Sequence, residues 1–70
     1  MRALAARIRR ETAQIGHCAI YEKDLERLWA VTEANRETKI AEFAKKYGFK
    51  LSFYKQGLCA IFERDYIAQP

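Results

Sequence analysis

Nine residues of this chain occur twice. Gly16-His17-Cys18-Ala19-Ile20-Tyr21-Glu22-Lys23-Asp24 returns 41 positions later as Gly57-Leu58-Cys59-Ala60-Ile61-Phe62-Glu63-Arg64-Asp65, with six positions identical and two conservative. Each copy opens on a turn residue, passes through a short apolar run and closes in charge. That is the pattern of a buried strand entered from a turn and left into solvent. The echo is too short to demonstrate duplication of a whole domain, so it reads as two strands sharing one packing solution. On that reading Ala60 and Phe62 face the core with Ala19 and Tyr21, while Cys18, Ile20, Cys59 and Ile61 share the opposite face.

The second copy belongs to a hairpin. From Phe49 the apolar period is two, with Phe49, Leu51 and Phe53 alternating with Lys50, Ser52 and Tyr54. A two-residue loop at Gln56-Gly57 places Phe53 opposite Ala60, Leu51 opposite Phe62 and Lys50 opposite Glu63. One face is then aromatic and aliphatic, and the other carries an opposite-charge pair and Tyr54.

The rest of the chain has helical spacing. Leu4, Ile8 and Ile15 form a narrow stripe on a basic amphipathic helix over residues 1–14, ending near Gly16. After the first strand, Asp24 is placed to cap a helix carrying Leu25, Leu28 and Trp29. Residues 32–37 are either a break between two helices or the solvated middle of one long helix. Ile40, Phe43, Ala44 and Tyr47 then define a second apolar face before Gly48. The expected architecture is α+β: a small three-stranded sheet, the C-terminal hairpin plus one earlier strand, packed against two or three helices. Residues 1–70 are read as one domain, with 67–70 a loose tail.

A 70-residue domain buries only about 60% of its unfolded surface, so dimerisation is a natural supplement. No hydrophobic signal segment precedes the two cysteines and no apolar run is long enough to span a membrane. Reduced thiols, a cytoplasmic location and no membrane partner are the expectation. The net charge of +4 is uneven, with basic ends flanking an acidic middle. A nucleic acid, an acidic protein surface or a second copy of the chain would each suit that asymmetry.

Catalytic signals are sparse. His17 and Cys18 are neighbours on a strand and point to opposite faces, which denies the thiol its nearest base. No Gly-rich phosphate loop, paired-carboxylate motif or serine elbow occurs, and no cofactor is expected. Cys18 and Cys59 lack metal-ligand spacing and read as small buried hydrophobes.

The run His17-Cys18-Ala19-Ile20-Tyr21-Glu22-Lys23-Asp24-Leu25-Glu26-Arg27 resembles the opening strand and turn of a glyoxalase-like, or vicinal-oxygen-chelate, module. Tyr47-Gly48-Phe49-Lys50-Leu51 resembles the helix-to-strand passage of the same βαβββ unit. The resemblance implies a metal site assembled from two such modules, with His17 and Glu63 as ligands.

The broader signal is basic. Arg7, Arg9 and Arg10 on the first helix, Lys39, Lys45 and Lys46 on the last, and Lys50 and Lys55 on the hairpin would neutralise phosphates if they converged. Tyr54, beside Lys50 and Lys55, would stack on an exposed base. The residues therefore point to a small non-catalytic binding or assembly module with a nucleic-acid or protein partner. The alternatives are a homo-oligomeric structural protein packing through the first-helix stripe and Trp29, and a metal-dependent glyoxalase-like half-module.

Overall fold

The computed structural model describes residues 1–65, and the expected loose tail at 67–70 lies outside them. The elements follow as α1 (Arg2–Ile15), β1 (His17–Tyr21), α2 (Glu22–Leu25), α3 (Arg36–Lys46), β2 (Phe49–Lys55) and β3 (Cys59–Arg64). The α+β class expected from the sequence is the class observed: three helices and an antiparallel sheet made of the C-terminal hairpin and one earlier strand.

Gly16 stops α1 in the left-handed region, at φ 88°, with its N–H donating to the Thr12 carbonyl at 2.9 Å. A residue with a Cβ resists that conformation, which is why glycine marks the end of the helix. The buried stripe of α1 is Ala5, Ile8 and Thr12. Thr12 tolerates burial because its hydroxyl donates to the Arg9 carbonyl. Ile15, counted in the stripe from its spacing, is 64% exposed at the helix end.

Residues 24–47 form two helices with a break between them. Asp24 lies inside the single turn of α2, not ahead of it. Helical hydrogen bonding continues just far enough for the Trp29 N–H to reach the Leu25 carbonyl at 2.9 Å. Leu25 and Trp29 enter the core, while Leu28 turns outward. Asn35, left-handed at φ 56°, starts α3; asparagine is one of the few residues with a side chain that adopts this conformation readily.

The central strand of the sheet is β3, in the order β1-β3-β2. The expected pairs Lys50 with Glu63 and Leu51 with Phe62 are present. The loop, however, spans three residues, since Lys55 pairs with Cys59 and the Leu58 N–H closes on the Lys55 carbonyl at 3.0 Å. A β-bulge at Ser52 absorbs the extra residue. It reverses the alternation beyond it: Phe53 faces Ile61 instead of Ala60 and is 44% exposed, and Tyr54 packs against the core in its place.

The pairing of β1 with β3 corrects the expectation for the first echo copy. Cys18 lies opposite Phe62 and Ile20 opposite Ala60, and directly paired residues share a face. Phe62 is fully buried, so Cys18 and Ile20 go with it into the core, leaving Ala19 half-buried and Tyr21 60% exposed on the other face. All three helices contribute to the same cluster, centred on Ile8, Ile20, Leu25, Ile40, Phe43 and Phe62. Phe43 organises its aromatic part, with ring centroids 5.3 Å from Trp29, 5.1 Å from Tyr47 and 6.0 Å from Phe62. These distances lie in the favourable range for edge and tilted ring pairs. Among the described residues the opposite face of the sheet has no helix on it.

Candidate polyanion surface and the Arg36 clasp

The basic residues singled out from the sequence divide between separate places. Successive helical residues are turned by about 100°, so Arg7 and Arg9 project from different flanks of α1. Arg7 donates to Asp24 at 3.1 Å and to Glu11 at 3.3 Å. Its pKa is raised, chiefly by the hydrogen bond to Asp24. Two carboxylates thus occupy its guanidinium. A shallow groove lined by Met1, Leu4, Arg7, Asp24, Arg27 and Leu28 opens on the same flank.

Arg9 takes the other flank, with its guanidinium carbon 5.7 Å from the centroid of the Phe49 ring, a cation–π distance. Phe49 begins β2 directly after α3 and Gly48, so this approach brings α1 to the end of the molecule where Lys45 and Lys46 close α3. Lys46 in turn lies 5.7 Å from the Tyr47 ring centroid. Lys50, one residue beyond Phe49, stands on the open sheet face with its Nζ 4.0 Å from Glu63. Arg10 and Lys45 are exposed. Arg9 and Lys50 therefore flank the start of β2, with Lys45 and Lys46 at the end of α3 just before it in the chain.

Tyr54 and Lys55 do not join them. They sit at the far end of β2, about 13 and 17 Å from Lys50 along the strand. Tyr54 is also on the core side of the sheet, where its hydroxyl accepts from Arg36 at 3.2 Å and donates to Gln56. The expected stacking platform for a base is thus committed to an internal network.

The centre of that network is a residue to which the sequence assigns no role. Arg36, the first residue of α3, is 4% exposed, and its guanidinium is fully engaged. Nε and Nη2 donate to the Trp29 carbonyl at 3.2 and 3.0 Å. Nη1 and Nη2 hold the Glu22 carboxylate in a fork at 2.8 and 2.6 Å, and Nη1 also reaches Gln56 at 3.4 Å. Glu22 in turn accepts the Gly57 N–H at 3.2 Å, and Gln56 donates to the Val31 carbonyl at 2.9 Å. The hydrogen bond from Arg36 is the main reason the Glu22 pKa is lowered, and the same bond, first among several, raises that of Arg36. This clasp joins α2, the 26–35 segment, α3 and the hairpin loop. Its donors and acceptors are matched internally, so its role is structural. A lone arginine opening a helix after an acidic, polar stretch is the only signal of it in the sequence.

The metal and thiol readings also meet the geometry. His17 and Glu63 are register partners on adjacent strands, which places the two residues side by side on the open face. Among the described residues no group of three or more His, Cys, Asp or Glu side chains converges. Two donors fall short of the three protein ligands of a catalytic zinc and the four of a structural one. Cys18 and Cys59 are free and buried, on opposite faces of the paired strands. Burial, followed by the hydrogen bond with Glu11, pushes the Cys18 thiol up to about 11, which leaves it protonated at neutral pH and a poor nucleophile. No helix among the described residues is long and apolar enough to cross a membrane.

No family model, curated protein or solved structure matches this chain.

Proposed function

We propose that this chain is a small non-catalytic binding module that holds nucleic acid at the basic end formed by Arg9, Arg10, Lys45, Lys46 and Lys50. The observation that carries the reading is the approach of Arg9 to Phe49, 5.7 Å from guanidinium carbon to ring centroid. It sets one cation of α1 against the first residue of β2, 40 positions away in the sequence and directly after the helix that ends in Lys45 and Lys46. A surface of clustered cations without a base-reading pocket suits phosphate binding, which is insensitive to sequence and sensitive to salt.

The test is retention of single- and double-stranded oligonucleotides over a salt series, using the wild type and an Arg10→Glu, Lys45→Glu, Lys46→Glu variant. The wild type should bind at low salt and release steeply as salt rises. Each phosphate-neutralising cation removed by the variant should lower the slope of log K against log salt by about 0.7–0.9. No retention at low salt, or equal slopes for the two proteins, overturns the reading. Retention of an acidic protein alone would also overturn it and return the site to the acidic-surface alternative.

A second reading, a glyoxalase-like half-module, draws support from the pairing of His17 with Glu63. Since the two make an incomplete set, a second module would have to supply the remaining donors. Elemental analysis after dialysis against divalent cations tests it: less than one metal per two chains rejects the reading.

A further inference from the structure

Among the described residues the sheet face opposite the helices is uncovered by any of them, and it carries a pattern that shares only Lys50 with the basic end. The strand registers arrange it in three rows. The first is His17, Glu63, Lys50; the second is Ala19, Ile61, Phe53; the third is Tyr21, Cys59, Lys55. Ala19 and Ile61 are half-buried, and Tyr21 and Phe53 are 60% and 44% exposed. The middle row is apolar, the first is charged, and the third is mixed, with Cys59 buried at its centre between Tyr21 and Lys55; side chains of packed sheets interdigitate across such faces.

We infer that this face pairs with the same face of a second copy of the chain, about a two-fold axis running along β3. Such an axis exchanges β1 and β2 and keeps β3 over itself. The small Ala19 then lies against the large Phe53 of the other copy on both sides of a central pair of Ile61 residues. Tyr21 meets Lys55, whose ammonium suits the face of a tyrosine ring. At the remaining row the two Glu63 carboxylates at the centre are flanked by Lys50 from both chains, each of which already lies 4.0 Å from the Glu63 of its own chain.

The other in-plane two-fold, across the strands, fails on the same rows. It sets Lys50 on Lys55, Phe53 on Phe53 and Ala19 on Ala19, combining like charge, crowding and a void. A polyanion is a poorer occupant than a second copy, because the face carries a carboxylate at the centre of its charged row. The bulge at Ser52 is what makes the pattern possible, since it turns Phe53 out of the core and onto this face. A single three-stranded face falls below the ~800 Å² per partner of a standard interface, so association belongs to the weak, concentration-dependent class.

Sedimentation equilibrium of the whole chain up to about 1 mM, where even a weak interface populates the dimer, reads the association. The wild type should dimerise, and Ile61→Lys should weaken the dimer at least about tenfold. Ala19→Phe alone should also weaken it by setting Phe on Phe. Combining it with Phe53→Ala exchanges the large and small positions and should restore association. Thermal melts identify any variant that has lost its fold, and Leu58→Lys, in the hairpin loop, should leave association unchanged. A wild type that stays monomeric, an Ile61→Lys chain that dimerises like the wild type, or a folded exchange variant that stays weak overturns the proposal. None of these substitutions alters a residue of the basic end, but Lys50 belongs to both surfaces; oligonucleotide retention by the Ala19→Phe chain, whose charge is unchanged, separates a failure of the dimer from a failure of nucleic-acid binding.

Discussion

The two copies of the repeated segment spell nearly the same strand and use opposite sides of it. In β1, Cys18 and Ile20 are buried in the core and Tyr21 is exposed, while in β3, Ala60 and Phe62 fill the core and Ile61 lies on the bare face. The Cys18–Phe62 and Tyr21–Cys59 pairings account for this. With the two copies laid antiparallel in this register, each core-facing pair joins an odd position of one copy to an even position of the other. Identical letters therefore meet opposite environments. The charged ends diverge as well: Glu22 is forked by buried Arg36 at 2.6 and 2.8 Å, whereas its counterpart Glu63 stands 4.0 Å from a solvent-exposed Lys50. A strand's sequence states that one side is buried, and its partner decides which.

The aromatic pair breaks or keeps that comparison most sharply. Phe62→Ala removes a fully buried ring that touches Phe43 and should cost about 3–5 kcal/mol. Tyr21→Ala, at the equivalent position, should change the stability of the monomer by no more than about 0.5 kcal/mol. Urea unfolding at a concentration low enough to keep the chain monomeric measures both. Similar losses at the two sites would mean that the phase assigned to β1 is wrong.

Next in size is the pair of glutamates. Glu22→Ala strands Arg36 in the interior; since Glu22 keeps some access to solvent, the loss should be about 2–3 kcal/mol, below the full effect of breaking a buried pair. Glu63→Ala should cost at most about 1 kcal/mol, as is usual for an exposed pair. Acid adds a second readout. The folded-state pKa of Glu22 is lowered, chiefly by the hydrogen bond from Arg36, so its contribution is complete above the unfolded carboxylate pKa of about 4.3 and disappears as pH falls through the folded value. Wild type should lose stability on acidification more steeply than Glu22→Gln, and the gap between them should narrow at the acid end. Parallel pH profiles would show that the carboxylate charge contributes nothing to the clasp.

Much of this fold is legible in the sequence because its signals are local. The period-two run from Phe49, the helical spacing of Ile40, Phe43 and Ala44, and the glycine after α1 each act within one element. The sheet face used by Cys18 and Ile20 is not legible, because it is set by a partner strand some 40 residues away. The Ser52 bulge is hidden for a different reason: an extra loop residue and an extra strand residue cancel, leaving Lys50–Glu63 and Leu51–Phe62 in the expected register. For the candidate surface, charge and residue type are readable, but convergence is not. Arg9 and Arg7 look alike in sequence, and only the helix rotation separates the one near Phe49 from the one held by Asp24.

The smallest effects should fall where the two copies agree. Gly16 and Gly57 open their segments at φ 88° and 82°, and a Cβ built on either meets no atom within 4 Å. Crowding is therefore absent at both, and the cost of Gly→Ala reduces to the left-handed backbone itself, about 1 kcal/mol at each position. The glycines serve different structures, the end of a helix at Gly16 and the middle of a hairpin loop at Gly57, yet equal backbone strain predicts equal losses in thermal or urea unfolding. A clearly larger loss at Gly57 would assign added weight to its N–H bond with Glu22, 3.2 Å long, which a displaced loop would break. In that case the second glycine would belong to the Arg36 clasp, and even the first letter of the repeat would serve two different purposes.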